Sequence, residues 1–441
     1  MSGLLLDPEQ VRALLLTALD DAREQGLEVT DLARALDAAP ASLDALADLA
    51  RRLQEAPVAE GWPHVEPLAL DEVLSECPSL PSARRPGSDV GDRVRAAWGA
   101  RVAGCVLGKP FEYDPTLAEL RAALEPAGEW PFTDYVTEAT SEGLRDRQPQ
   151  WPECVRERIA HVPEDDDLGY TALATVALER HGDAFTHDDL LRLWLLNLPV
   201  LATFGPERVA LLAAGLASST GAPFSLGALV PGTEQCGALI RVDAYGYAHP
   251  GDPVAAASLA YVDASLTHRR TGVYSAMWAA AAVATALVAD DWEDVALTAA
   301  SVVPQQSRLR AVLDESLAHV RAADDWLDAH DRLHTRFASY GHCRVVQELG
   351  TLLVTLRFAR GATDGIGLQV SQGNDTDSFG ATAGSLLGAL HGPAGFDRDH
   401  WLGRFGDRIH LALATTHDDS ITSWGDRMAA LHLRKQSYPA G

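Results

Sequence analysis

The chain has 441 residues, 47% hydrophobic and 22% charged, enough to bury a substantial core as one large domain with an extension. Aromatics are only 7% and β-branched runs are scarce, so the alanine- and leucine-rich apolar set favours helices over strands. The formal net charge of −26 argues against general nucleic-acid binding and against docking on an anionic membrane, and its ordinary reading is a solvated acidic surface.

The start has no basic segment ahead of its short apolar run, so no signal peptide is expected. Asp7-Pro8-Glu9 opens a first helix, with an acid at the cap and proline just inside; Val11, Leu14, Leu15 and Ala18 follow at helical spacing. Thr30 opens a second helix through Leu36, and Ser42 caps a third carrying Leu46, Leu49 and Leu53. The stretch from Pro78 to Asp92 is rich in proline, serine and glycine and reads as a linker. The expected division is a helical N-terminal extension at 1–85 and a larger unit at 86–441.

Beyond the linker, helices are expected at about 92–107, 164–177, 188–198, 206–218, 253–268, 275–289, 293–302, 309–330, 343–359 and 378–391. The best strand candidate is the short alternation from Ala238 to Val242. Ala276 to Ala289 is the most apolar stretch, but it is shorter than the ~18 to 20 residues a spanning helix needs, so it reads as a core helix. The cysteines at 77, 105, 154, 236 and 343 show no C-x-x-C spacing. Their odd count and wide separation fit free thiols in a reducing cytoplasm, and for the same reason no zinc site is expected.

Two acidic clusters carry the chemistry. Glu164-Asp165-Asp166-Asp167 directly precedes an apolar helix, and Asn374-Asp375-Thr376-Asp377-Ser378 precedes a helix rich in small residues from Gly380 to Ala389. Helix capping is the plain explanation of each, but one cap needs one acid. A calcium loop opening at Asp375 fails, because Phe379 and Leu386 fall at ligating positions. Should the clusters meet, like charges 4 Å apart repel by about 4 kcal/mol at an effective dielectric near 20, so the carboxylates would need raised pKa values or bound hard cations.

Four blocks, in order, resemble the ADP-ribosylglycohydrolase family, of the dinitrogenase reductase-activating glycohydrolase type. They are Gly104-Cys-Val-Leu-Gly108-Lys-Pro-Phe-Glu112, then Glu164 to Asp167, then Gly237-Ala-Leu-Ile-Arg241 with the prolines and histidine that follow, then Asn374 to Ser378 with Gly380 to Gly384. The resemblance implies an all-α fold, a compact orthogonal helical bundle, and a hydrolase with two divalent cations, Mg2+ or Mn2+. It implies Glu164, Asp165, Asp166, Asp375, Asp377 and Ser378 as metal ligands. It places Glu112 as the first proton-moving residue and Asp166 as the second, with Gly237, Arg241, Asn374 and Tyr245 toward substrate. His268 reads more simply as a buried structural histidine. Glu164 stands where many members carry a hydroxyl residue, which bears on the substrate rather than on metal binding.

The implied reaction is hydrolysis of an N- or O-glycosidic bond at C1 of the ribose of an ADP-ribosylated protein or an ADP-ribose-containing small molecule. Two alternatives stand beside it: a hydrolase of nucleosides or other small N-glycosides, and a non-catalytic binding or structural protein on the same fold.

Overall fold

The structure, a computed structural model, describes residues 7–113, 115–141, 149–220, 230–340, 343–415 and 419–434. The short apolar run at 4–6 lies outside the described residues. Among the described residues there are helices and isolated bridges but no sheet.

Helices α1 (Pro8–Glu24), α2 (Thr30–Ala38) and α3 (Leu43–Gln54) bury Leu15, Leu19, Leu36, Leu46 and Leu49 in a cluster of their own. Asp7 accepts the Gln10 amide at 2.8 Å and Gln10 answers the Asp7 amide at 3.0 Å, a reciprocal cap with Pro8 at the first turn. Ion pairs tie this extension to the body: Arg344 reaches Asp21 at 2.6 Å, and Arg308 reaches Glu66 at 2.9 Å and the Glu24 carbonyl at 2.9 Å. The second apolar cluster runs from Val73 to Leu431. Val73 sits on a short helix, Leu70–Ser75, so the body's apolar packing begins ahead of the linker.

Helices α4 (Val90–Gly108), α5 (Asp166–His181), α6 (Thr271–Ala286), α7 (Val345–Phe358), α8 (Thr376–His391) and α9 (Ile421–Arg434) build the body around the site. Every residue of α6 is buried, as expected of a helix that is apolar all round. No described helix is long and apolar enough to cross a membrane.

The α4–α8 pair is the tightest contact. The helices run antiparallel, and small residues face each other at every turn. A Cβ on Gly104 would lie 2.0 Å from the Gly380 carbonyl oxygen, and one on Gly384 would lie 2.2 Å from that of Ala100. A Cβ on Gly108 would meet the Thr376 backbone at 2.2 Å, and the Thr376 hydroxyl donates to the Gly108 carbonyl at 2.8 Å. The end of α4 is thereby locked beside the start of α8.

Two expected elements are corrected. The segment read as a strand at Ala238 to Val242 forms a 3-10 helix over Cys236–Arg241. It has no partner strand, and Arg241 folds back to donate to the Gly237 carbonyl at 3.0 Å. The single helix read at 309–330 is two, Arg308–Ala322 and Trp326–Arg336. Asp325 starts the second by accepting the Asp328 amide at 2.9 Å, a capping preference that breaks an otherwise continuous apolar period.

Candidate active site

Three helix ends converge. From α4 the chain turns through Lys109–Phe111 to Glu112. At the start of α5, Asp165 is the cap and accepts the Asp167 amide at 2.9 Å. At the start of α8, Asp375 is the cap residue and Asp377 accepts the Ser378 amide at 2.9 Å. Free N–H groups and the helix dipole make both starts hospitable to acids. Arg101, fully buried on α4, fastens that helix to the start of α5 and to Ile240 and Asp243. It donates to the Asp167 carbonyl at 3.0 Å, bonds the Ile240 carbonyl and pairs with Asp243. The Lys109 ammonium stands 2.6 Å from Asp165, with both side chains buried.

The two acidic clusters therefore meet, and they act on each other's charge. Burial and then repulsion from Asp377 and Asp165 push the Glu112 carboxyl up to about 9. Burial and then Asp165 and Asp377 push Asp166 up to about 8; its carboxyl is enclosed although part of the residue reaches solvent. Asp167, Asp375 and Asp377 are also raised, chiefly by burial. Asp165 is the exception. Burial is the largest influence and works to raise it, but the Lys109 charge and hydrogen bond, with the Cys105 thiol and the Asp167 amide, together hold it below the ordinary carboxylate range. Glu112 Oε2 and both Asp167 carboxylate oxygens are buried without a hydrogen-bond partner, although Arg101 stands 3.9 Å from Asp167. Unanswered buried oxygens on this scale are costly.

The family model for ADP-ribosylglycohydrolase matches residues 86–436. The chain belongs to the ADP-ribosylglycohydrolase family. Among solved structures, one chain of an ADP-ribosylglycohydrolase-related protein complex resembles it with a TM-score of 0.52 at 18% identity, covering 79% of this chain and 99% of that one. At that identity the likeness shows the fold alone. No curated protein matches the sequence. Membership supports a glycohydrolase in general terms, and the all-α architecture agrees with the family.

Read as an ADP-ribosylglycohydrolase, the chain places its expected site residues unequally. Glu112, Asp165, Asp166, Asp375, Asp377 and Ser378 come together at the three helix ends. Glu164 is exposed, one residue ahead of the cap. Asn374 takes a left-handed φ of 63° and its amide meets His334 Nε2 at 3.0 Å. The Arg241 guanidinium is buried, fastened to Glu207, to Asp263 at 2.6 Å and to the Thr267 hydroxyl at 2.9 Å, and stacked over Trp194 at 4.9 Å. Gly237 lies under the same network, where a Cβ would come within 3.0 Å of Glu207. Tyr245, expected toward substrate, is fully buried on the short helix Asp243–Ala248; its hydroxyl donates to Asp263 at 2.7 Å and its ring stacks on Phe185. His268 is fully buried, held neutral chiefly by burial and then by Arg241, and bonded to Thr267 at 2.7 Å.

The side chains gathered at the three helix ends offer mainly hard oxygen donors. Carboxylate oxygens predominate, the Ser378 hydroxyl adds a neutral oxygen, and beside them Glu112 Oε2 and both Asp167 carboxylate oxygens are buried without a hydrogen-bond partner. That set fits Mg2+ or Mn2+. Four side chains at the site are given no role by the sequence alone. Lys109 and Arg101 were hidden inside helical patterns, and only their charge within apolar runs marked them. Cys236 and Cys343 carried no motif, because the fold alone brings them to Asp375.

Proposed function

We propose that this ADP-ribosylglycohydrolase family member cleaves a glycosidic bond at C1 of a ribose carried by an ADP-ribosylated protein or an ADP-ribose-containing small molecule. The observation that carries the reading is the convergence of Glu112, Asp166, Asp375 and Asp377 from three segments around buried oxygens that lack partners.

Asp165, Asp166, Asp375, Asp377 and Ser378 would hold a pair of divalent cations, Mg2+ or Mn2+, and the exposed Glu164 is the least suited of the expected ligands. When bound, such cations supply an acidified water and a positive field at the sugar. Glu112 holds the proton. In the metal-free chain burial and the neighbouring carboxylates push its carboxyl up to about 9, which marks it as the group there suited to keep a proton for a leaving group. Asp166, pushed up to about 8 in the metal-free chain, is the second proton carrier there and becomes a ligand once cations bind. The oxocarbenium-like character of glycoside cleavage suits a site lined with carboxylates. Lys109 keeps Asp165 ionised and in place. Arg241, Gly237 and Tyr245 serve by stiffening the adjoining wall, since their polar atoms are already engaged. Asn374 sits at the turn into α8, where its left-handed backbone sets the direction of Asp375.

A cytoplasmic setting is consistent with cysteines that form no disulfide, even where Cys236 and Cys343 adjoin. The test is a panel of ADP-ribosyl-arginine, ADP-ribosyl-serine, O-acetyl-ADP-ribose and nucleosides, assayed with Mg2+ or Mn2+ and again with chelator. Release of ADP-ribose that chelator abolishes supports the proposal. Turnover of nucleosides alone would move the chain to the nucleoside-hydrolase reading, and inertness toward the whole panel would favour a binding protein.

A further inference from the structure

We propose that Cys236, Cys343 and Asp375 form a built site for a soft divalent cation, Zn2+ in chemical class, beside the carboxylate cluster and sharing one carboxylate with it. The Cys236 thiol lies 3.3 Å from Asp375 Oδ2 and the Cys343 thiol lies 3.9 Å from the same oxygen. One ligand atom from each of the three falls within 4.8 Å of the others. Zn–S bonds of about 2.3 Å and Zn–O bonds of about 2.0 Å at tetrahedral angles put sulfur and oxygen about 3.5 Å apart. The two measured separations bracket that spacing, so a cation fits with small side-chain movement. Two thiolates with one carboxylate also match the softness Zn2+ prefers and leave a fourth position for water.

The backbone holds the pair in place without any metal. The Cys236 amide donates to the Cys343 carbonyl at 2.9 Å, within an antiparallel bridge between Gln235 and Arg344. Cys343 is kept at a φ of 53°, a conformation rarely adopted by a side chain of its kind. Arg344, next in the chain, is anchored by Asp21 of α1 at 2.6 Å. Cys236 and Asp375 are buried while Cys343 is half-buried, which gives an entry route from one side. In the cation's absence the thiols donate to the Asp375 carboxylate; the cation replaces those protons, which are released to solvent.

The consequence for activity rests on the hydrolase reading. Asp375 cannot serve a thiolate-bound Zn2+ and the hard-cation centre equally, so Zn2+ bound here opposes Mg2+ or Mn2+ and inhibits.

The test is Co2+ titration of the reduced full-length chain, read as the thiolate-to-cobalt charge-transfer absorption in the near ultraviolet, followed by Zn2+ displacement against a chromophoric chelator. The expected result is one Zn2+ per chain that displaces the Co2+ band, with C236S and C343S each cutting the band per bound cobalt to about half or less and weakening Zn2+ uptake at least about a hundredfold while melting cooperatively. Metal uptake without a thiolate band, or Zn2+ affinity unchanged in both variants, would overturn the site. Because absorption needs no turnover, a silent hydrolysis assay would count against the proposed function and leave this result standing. Where turnover is found, Zn2+ inhibition should need at least about tenfold more metal in C343S; equal inhibition would overturn the regulatory part.

Discussion

Lys109 Nζ lies 2.6 Å from Asp165 Oδ2, so one buried ammonium answers one carboxylate within a cluster that holds several. The pair separates the roles of the acids. Asp165 stays ionised beside its partner, whereas Glu112, Asp166 and Asp377 keep raised affinity for a proton. Breaking a buried pair by removing one partner costs on the order of 3–5 kcal/mol, because it strands the other charge. K109M should therefore lower metal-free stability by about that much in urea unfolding. Mg2+ should recover part of the loss; a variant as stable as wild type without metal would deny the pair its structural role.

The pH dependence follows from the same groups. A carboxyl whose folded pKa is raised binds its proton more tightly in the fold, so its stabilisation is complete below the unfolded value and is lost as pH rises through the folded one. For Asp166 and Glu112 the losses extend to about 8 and about 9. Buried histidines work in the opposite sense: His268 and His334 are depressed, so their effect is a gain that ends near the unfolded value of 6.5. Between pH 7 and 9 the histidines no longer contribute, and the buried thiols of Cys77, Cys105, Cys154 and Cys236, raised as well, act in the same sense as the carboxyls toward the upper end. Metal-free melting temperature should fall across that window, and the Mg2+-induced increment should grow. A metal-free melting curve that rises from pH 7 to 9 would contradict the assignment.

The glycine stripe makes a third expectation. A methyl on Gly104 has nowhere to go but into the Gly380 backbone, so G104A should cost at least about 2 kcal/mol and displace α8 from Glu112. Gly215, by contrast, sits within the helix Gly205–Thr220 with nothing within 4 Å of a built Cβ. G215A should gain about 0.5–1 kcal/mol from helix propensity. Equal effects of the two, measured by urea unfolding, would show that the close approach of α4 and α8 is not what limits residue size.

Arg241 offers a choice between substrate contact and support. Its guanidinium is already committed to Glu207, Asp263 and Thr267. R241M should lower stability by about 3–5 kcal/mol, leaving Glu207 and Asp263 to repel each other. At a temperature where the variant is folded, KM should change little. A KM increase of about a hundredfold with stability intact would make it a substrate contact instead.

The sequence made some of this legible and hid the rest, for physical reasons. Helix starts with strong local chemistry were readable, such as Asp7-Pro8 and Ser42, because a cap is a contact between residues three apart. So were the acids of both clusters, since more carboxylates stood together than capping requires. The small residues of α8 pointed to a close backbone neighbour, and α4 is that neighbour. What stayed hidden was pairing at long range. The proximity of Cys236 to Cys343, the capture of Arg241 by Glu207 and Asp263, and the burial of Lys109 against Asp165 are set by tertiary packing, not by periodicity. The strand read at Ala238 to Val242 failed for the same reason: five residues of alternation cannot make a strand without a partner.

The most direct test of the central claim is to measure Mn2+ bound and ADP-ribose released by the wild type, E112Q, D375A and D377A on an ADP-ribosylated substrate, with and without chelator. The account predicts turnover by the wild type that chelator abolishes, loss of both metal uptake and turnover in D375A and D377A, and retained metal with turnover reduced by about 10²–10⁴ in E112Q. Full turnover by D375A or D377A in chelator would contradict it.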